Sequence, residues 1–151
     1  MESHAQDIAV TVDLIAFTHR HDVLNVVLVQ RRHDPYQWGW ALPGGFLEID
    51  EDLAEGASRE MLEETGLAVP SSLLTQVGAY GTPGRDPRMR TVTVAFAVLE
   101  DDLGEPKGGD DAAAARLWSV SEVLADPHFL AFDHLQILTD ALAKLGLGVP
   151  G

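Results

Sequence analysis

Glu60, Glu63 and Glu64 stand at i, i+3 and i+4, so on a helix their carboxylates converge on one face. Like charges crowded there repel one another. A hard divalent cation relieves that repulsion, because it prefers oxygen ligands and completes its shell with water and substrate phosphates. A metal site is therefore inferred from charge.

The element that must carry these acids is well marked. Residues 52–65 read as a helix with Asp50 as N-cap, Glu51 and Asp52 at the positive end of the dipole, and Gly66 as a left-handed stop. Leu53, Ala54, Ala57 and Met61 form an apolar stripe beside the acidic one, so one face is buried and the carboxylates sit at its edge.

From Gly45 to Leu67 the chain fits the pattern Gly-x5-Glu-x7-Arg-Glu-U-x-Glu-Glu-x-Gly-U, with Met61 and Leu67 at the aliphatic U positions. This stretch resembles the Nudix box, and Trp40-Ala41-Leu42-Pro43-Gly44-Gly45-Phe46 resembles its usual lead-in. The resemblance implies one domain over residues 1–151, an α/β/α sandwich around a mixed sheet. It also implies hydrolysis of a diphosphate with Mg²⁺, or Mn²⁺ in its place. By the same resemblance Glu60 and Glu64 are the principal metal ligands, Glu63 is a further one, and the Gly44 carbonyl completes the sphere. Arg59 orients the glutamates through its forked guanidinium, and Glu51 supports it. The family draws its general base from a box glutamate or from an acid on a later loop. Here Asp110 and Asp111 are the loop candidates, with Glu105 behind them. Many relatives carry a glutamate shortly after, where this chain runs Ala112 to Ala115.

Composition narrows the remaining possibilities. A chain of 151 residues, 46% hydrophobic and 23% charged, is a globular sequence with enough length for a sizeable core. The absence of cysteine excludes disulfides, thiolate metal sites and a cysteine nucleophile. No stretch of about 18 apolar residues offers a membrane span, and Met1-Glu2-Ser3-His4 does not open an export signal. A soluble, cytoplasmic protein without membrane partners is expected. The net charge of −14 argues against a general nucleic-acid binder.

That charge leaves room for a small phosphorylated substrate met by metal and local arginines. Two basic clusters stand out, Arg31-Arg32-His33 and Arg85, Arg88 and Arg90; Arg32, Arg85 and Arg88 are the substrate contacts expected from them. Phe46, Trp38, Trp40 and Tyr80 are the aromatics that could stack on a base. His128 and His134 read as capping or packing residues.

Around these, residues 8–18 and 23–31 suggest a hairpin through His19–Asp22, with further strands at 40–42, 73–80, 91–99 and 115–119. Residues 121–124 and 133–145 suggest helices. Pro83 and the stretch from Gly81 to Phe96 resemble the ADP-ribose pyrophosphatase branch and related regulators. Those regulators carry a winged-helix domain for which this chain has neither length nor positive charge. The expected activity is thus hydrolysis of a nucleoside diphosphate linked to another moiety, ADP-ribose to AMP and ribose 5-phosphate. The alternatives are a nucleoside triphosphate pyrophosphohydrolase and a non-catalytic nucleotide-sugar sensor. The resemblance also implies a homodimer.

Overall fold

The structure, a computed structural model, describes residues 7–109 and 112–148. Its central strand, β1 (Ala9–Arg20), is buried on both faces from Val12 to Thr18. Such a strand reads as a nearly continuous apolar run, hence the loose alternation of its sequence. β1 turns back through His21 and Asp22, at φ 52° and 63°, into the antiparallel β2 (Val23–Arg31). Two successive left-handed residues are what a two-residue hairpin requires, so the turn is tighter than the His19–Asp22 stretch suggests.

Two short strands extend this hairpin: β3 (Trp40–Ala41) pairs with β2, and β4 (Gly44–Phe46) with β1. On the other side, β6 (Thr91–Leu99) runs parallel to β1 and antiparallel to β5 (Thr75–Tyr80). β7 (Ala112–Ser119) completes a mixed sheet of seven strands by pairing with β2.

Alternation along β1 sends its side chains into two cores. Val12, Leu14 and Ala16 meet Ala57 and Met61 of α1 (Leu53–Thr65). Ile15 and Phe17 meet Val123 of α2 (Val120–Ala125) together with Ile137, Leu138 and Ala141 of α3 (His134–Leu145). The expected α/β/α layering is what forms. Met61, fully buried on the stripe predicted for it, contributes about 1.5–3 kcal/mol by leaving water.

Most boundaries move by a residue or two, and three differences have a plain cause. β5 begins at Thr75 because Ser71–Leu73 closes a 3₁₀ turn. β7 begins at Ala112 rather than 115, since pairing of Ala114 and Ala115 with Gln30 and Val29 outweighs alanine's weak strand preference. β4 has no counterpart in the sequence reading. Among the described residues no helix is long and apolar enough to cross a membrane.

Candidate active site

α1 starts at Leu53, one residue later than its sequence suggests, and its cap lies two residues later. Its N-cap is Asp52, in extended backbone, accepting from the Leu53 N–H at 2.8 Å, and not Asp50. Glu51 lies before the helix because its carboxylate is engaged elsewhere. Its two oxygens accept from Arg59 Nε and Nη2 at 2.6 and 2.9 Å, and Oε1 also accepts from the Glu48 N–H. At the other end Gly66, at φ 74°, donates to the Leu62 carbonyl and stops the helix as expected.

Arg59 is the hub of the acidic face. Its Nη1 reaches Glu60 Oε1 and Glu63 Oε2, both at 3.0 Å, and its Nη2 reaches the Phe46 carbonyl at 3.1 Å. The ring of carboxylates holds its pKa well above the ordinary guanidinium value, the hydrogen bonds it donates to Glu51 being the largest cause.

The carboxylates do not all converge. Glu63 turns outward to Arg59, and among the described residues no three acids or histidines stand together as a ready metal cage. Glu60 and Glu64 are the pair that meets, within hydrogen-bonding reach of each other and largely buried. Burial raises the pKa of both. For Glu64, burial and then repulsion from Glu60 push it up to about 9.

Gly45 leaves room for Glu60, and Gly44 for the backbone and carboxyl of β1. A Cβ on Gly45 would stand 2.7–2.8 Å from the Glu60 carboxylate, and one on Gly44 would collide with Asp13 and the Val12 carbonyl. The Gly44 N–H donates to Glu64 Oε2 at 3.3 Å, so its amide addresses the site.

Glu64 also lines a cleft of about 180 Å³ together with Arg31, Arg32, His33, Arg88 and Ala112. Arg32 is steadied by the Ala112 carbonyl at 3.0 Å, and Arg88 by both oxygens of Asp86 at 3.0 and 2.7 Å. Arg85 does not join them. Its side chain is only 6% exposed and forms a paired contact with Asp133 at 2.8 and 2.6 Å. A buried guanidinium needs a carboxylate partner, and Asp133 supplies it.

The aromatics divide similarly. Phe46 and Trp38 are more than half exposed. Trp40 packs edge-on against Trp118, and Tyr80 packs against the core while donating its hydroxyl to Asp140 at 2.6 Å. His134 is buried, and its Nδ1 accepts from the Leu42 N–H at 3.0 Å, a packing role of the kind expected.

Asp110 and Asp111 lie outside the described residues. The preceding loop passes against the end of α1: Lys107 N–H donates to the Thr65 carbonyl at 2.8 Å, and a Cβ on Gly109 would stand 2.6 Å from the Glu63 carbonyl oxygen.

Sequence reading missed Asp13, which is buried beneath Gly44 and accepts from Thr93 Oγ1 at 2.6 Å. Burial raises its pKa. A lone acid inside AVTVDLIAF was the available signal. Phe132 gave none.

The match that decides the family is to the NUDIX domain, over residues 7–140. The chain belongs to the Nudix family. It is 38% identical over 115 residues to an ADP-ribose pyrophosphatase of Methanocaldococcus jannaschii, across 76% of this chain and 64% of that protein. An ADPR responsive transcriptional repressor of Acinetobacter baylyi is 34% identical, over 89% of this chain and 53% of its own length. The chain thus spans between half and two thirds of these relatives. The crystallised NUDIX domain of Shewanella oneidensis NrtR, in complex with ADP ribose, superposes with a TM-score of 0.84 at 33% identity, covering 93% of this chain and 90% of that one.

The Nudix acids fit a divalent cation on their own chemistry. Glu60 and Glu64 are neighbouring, part-buried carboxyls that cannot both ionise cheaply without positive charge, and their oxygens suit a hard ion.

Proposed function

We propose that this chain hydrolyses a nucleoside diphosphate linked to another moiety, with ADP-ribose giving AMP and ribose 5-phosphate as the leading case. The observation that carries the reading is the part-buried Glu60–Glu64 pair behind Gly44-Gly45, with Glu64 sharing a cleft with Arg31, Arg32 and Arg88. One wall demands a cation and the other an anion. A metal-bridged diphosphate satisfies both. The similarity to the archaeal pyrophosphatase and to a domain that holds ADP ribose supports the same choice.

Mg²⁺, or Mn²⁺ in its place, would be held by Glu60 and Glu64, with Glu63 or the Gly44 carbonyl completing the donors. When bound, the cation supplies charge neutralisation and an acidified water. Around it, Arg59 fixes the rotamer of Glu60, Arg32 and Arg88 meet phosphate oxygens, and exposed Phe46 offers a face to the base. Asp110 and Asp111 remain the proposed loop source of a general base, beside the box glutamates.

The similarity to the ADPR responsive repressor favours a second reading, a sensor that binds ADP-ribose without cleaving it. The net charge of −14 weighs against this chain itself docking on DNA. We also propose a homodimer; sedimentation that finds only a 16.3 kDa species at micromolar concentration would count against it.

The test is a product-resolved assay with Mg²⁺. ADP-ribose should yield AMP and ribose 5-phosphate, and Glu60→Gln and Glu64→Gln should each abolish turnover while the protein stays folded. Full activity in both variants sinks the site assignment. Pyrophosphate released from nucleoside triphosphates would move the substrate class, and tight ADP-ribose binding without cleavage would favour the sensor.

A further inference from the structure

Arg31 has a different environment from Arg88, its neighbour in the cleft. Arg88 is paired with Asp86, whereas Arg31, like Arg32, has no carboxylate partner among the described residues. Its Nε donates to the Pro35 carbonyl at 2.7 Å, which leaves the outer nitrogens of the fork for another acceptor. The side chain is half-buried, and both that burial and the nearby Arg88 disfavour its charge.

A guanidinium kept in such a place needs compensation, and Phe132 gives part of it. The Arg31 guanidinium carbon lies 4.9 Å from the Phe132 ring centre and that of Arg88 lies 5.8 Å away, within the range of cation–π attraction. Tyr36 braces the same ring edge-on at 4.9 Å. Phe132 and Tyr36 sit at φ 53° and 59°, a conformation that bulky residues adopt at a cost, so the surrounding structure holds both rings in place.

Two cations share one aromatic support, and both face the cleft that Glu64 lines. We infer that Arg31 and Arg88, mounted on Phe132, form an anion clamp that grips the diphosphate of the substrate, with Arg31 as its principal contact. The inference deepens the proposed function and rests on it for the identity of the substrate. The clamp itself is defined by its chemistry, a pair of guanidinium forks suited to adjacent phosphate groups. Phe132 acts through the arginines and is a positioning residue.

Equilibrium binding in EDTA, where cleavage is suppressed, separates the clamp from catalysis. The probes are inorganic pyrophosphate and ADP-ribose. Arg31→Met should weaken both by at least about tenfold, the loss of a charge-assisted contact, and Phe132→Leu should weaken both by a few-fold. Arg31→Lys, which keeps charge and loses the fork, should fall between wild type and Arg31→Met; it also answers the question if Arg31→Met does not fold. Arg116→Met is the control, since Arg116 stacks on Trp118 at 3.8 Å away from the cleft; it should bind as wild type. With Mg²⁺, Arg31→Met should raise KM more than it lowers kcat.

Unchanged pyrophosphate binding in both Arg31→Lys and Phe132→Leu would overturn the clamp, as would an equal loss in Arg116→Met. Pyrophosphate binding that depends on Arg31, in a protein indifferent to ADP-ribose, would uphold the clamp and remove the proposed substrate.

Discussion

Arg59 and Glu51 meet in a two-pronged contact, Nε and Nη2 against both carboxylate oxygens at 2.6 and 2.9 Å, with side chains 22% and 10% exposed. Eight residues apart, they tie the loop before α1 to the middle of the helix. Because the same guanidinium reaches Glu60 and Glu63, its position sets theirs.

Arg59→Lys tests that coupling. A single ammonium cannot match the fork that serves Glu51 and Glu60 together, and outer-shell partners of metal ligands are commonly worth 10–100-fold in metal affinity. Mn²⁺ binding followed by titration should weaken by about tenfold or more, while circular dichroism shows the fold retained. Wild-type Mn²⁺ affinity would mean that Glu60 needs no such support.

Gly56 offers a test with a change of sign. A Cβ there would stand 2.8 Å from Glu51 Oε1 and from Leu47 Cδ1. Alanine ordinarily favours a helix interior over glycine by about 1 kcal/mol, yet Gly56→Ala should lower the melting temperature by displacing Glu51 from Arg59. In a Glu51→Ala background the obstruction is gone and Leu47 can rotate. The same change should then be neutral or stabilising.

These contacts mark what the sequence could disclose. β2 and β6 were legible to the residue because apolar patterning over nine residues leaves few registers. The stop of α1 was legible because Gly66 has a local conformational reason. β4 was not, since three residues have no period and its existence depends on pairing with β1. The pairing of Arg85 was not legible, because its partner, Asp133, lies 48 residues away and nothing local to Arg85 announces it. The acidic box located Glu60 and Glu64 yet not the outward turn of Glu63, which follows from which acids Arg59 can reach.

Glu64 gives a pH prediction for the metal-free protein. Its folded pKa is raised, so between the ordinary carboxylate value of 4.5 and about 9 the folded state binds a proton that the unfolded chain has released. Stability attributable to Glu64 therefore falls as pH rises through that window. His134 works oppositely below about 6.5, because burial lowers its pKa, so the comparison must be with a variant. In EDTA, Glu64→Gln should melt at least about 2 °C above wild type at pH 8, with a smaller gap at pH 5, given roughly 2–4 °C per kcal/mol for a domain of this size. Added Mg²⁺ should narrow the gap at pH 8 by stabilising the wild type alone. A gap that does not grow with pH would refute the assignment.

Arg85 and Asp133 separate structural charge from substrate charge. The pair links the loop after β5 to the residue before α3, and its members are 6% and 28% exposed. Removing one partner leaves the other charge uncompensated, at a cost of about 3 kcal/mol, whereas replacing both costs less than the two single losses together. Arg85→Met and Asp133→Leu should each lower stability to denaturant by about that amount, and the double variant should recover part of it. If Arg85 served the substrate instead, Arg85→Met would leave stability nearly unchanged and weaken pyrophosphate binding as Arg31→Met does. The burial of its guanidinium and its absence from the cleft lining argue for the first outcome.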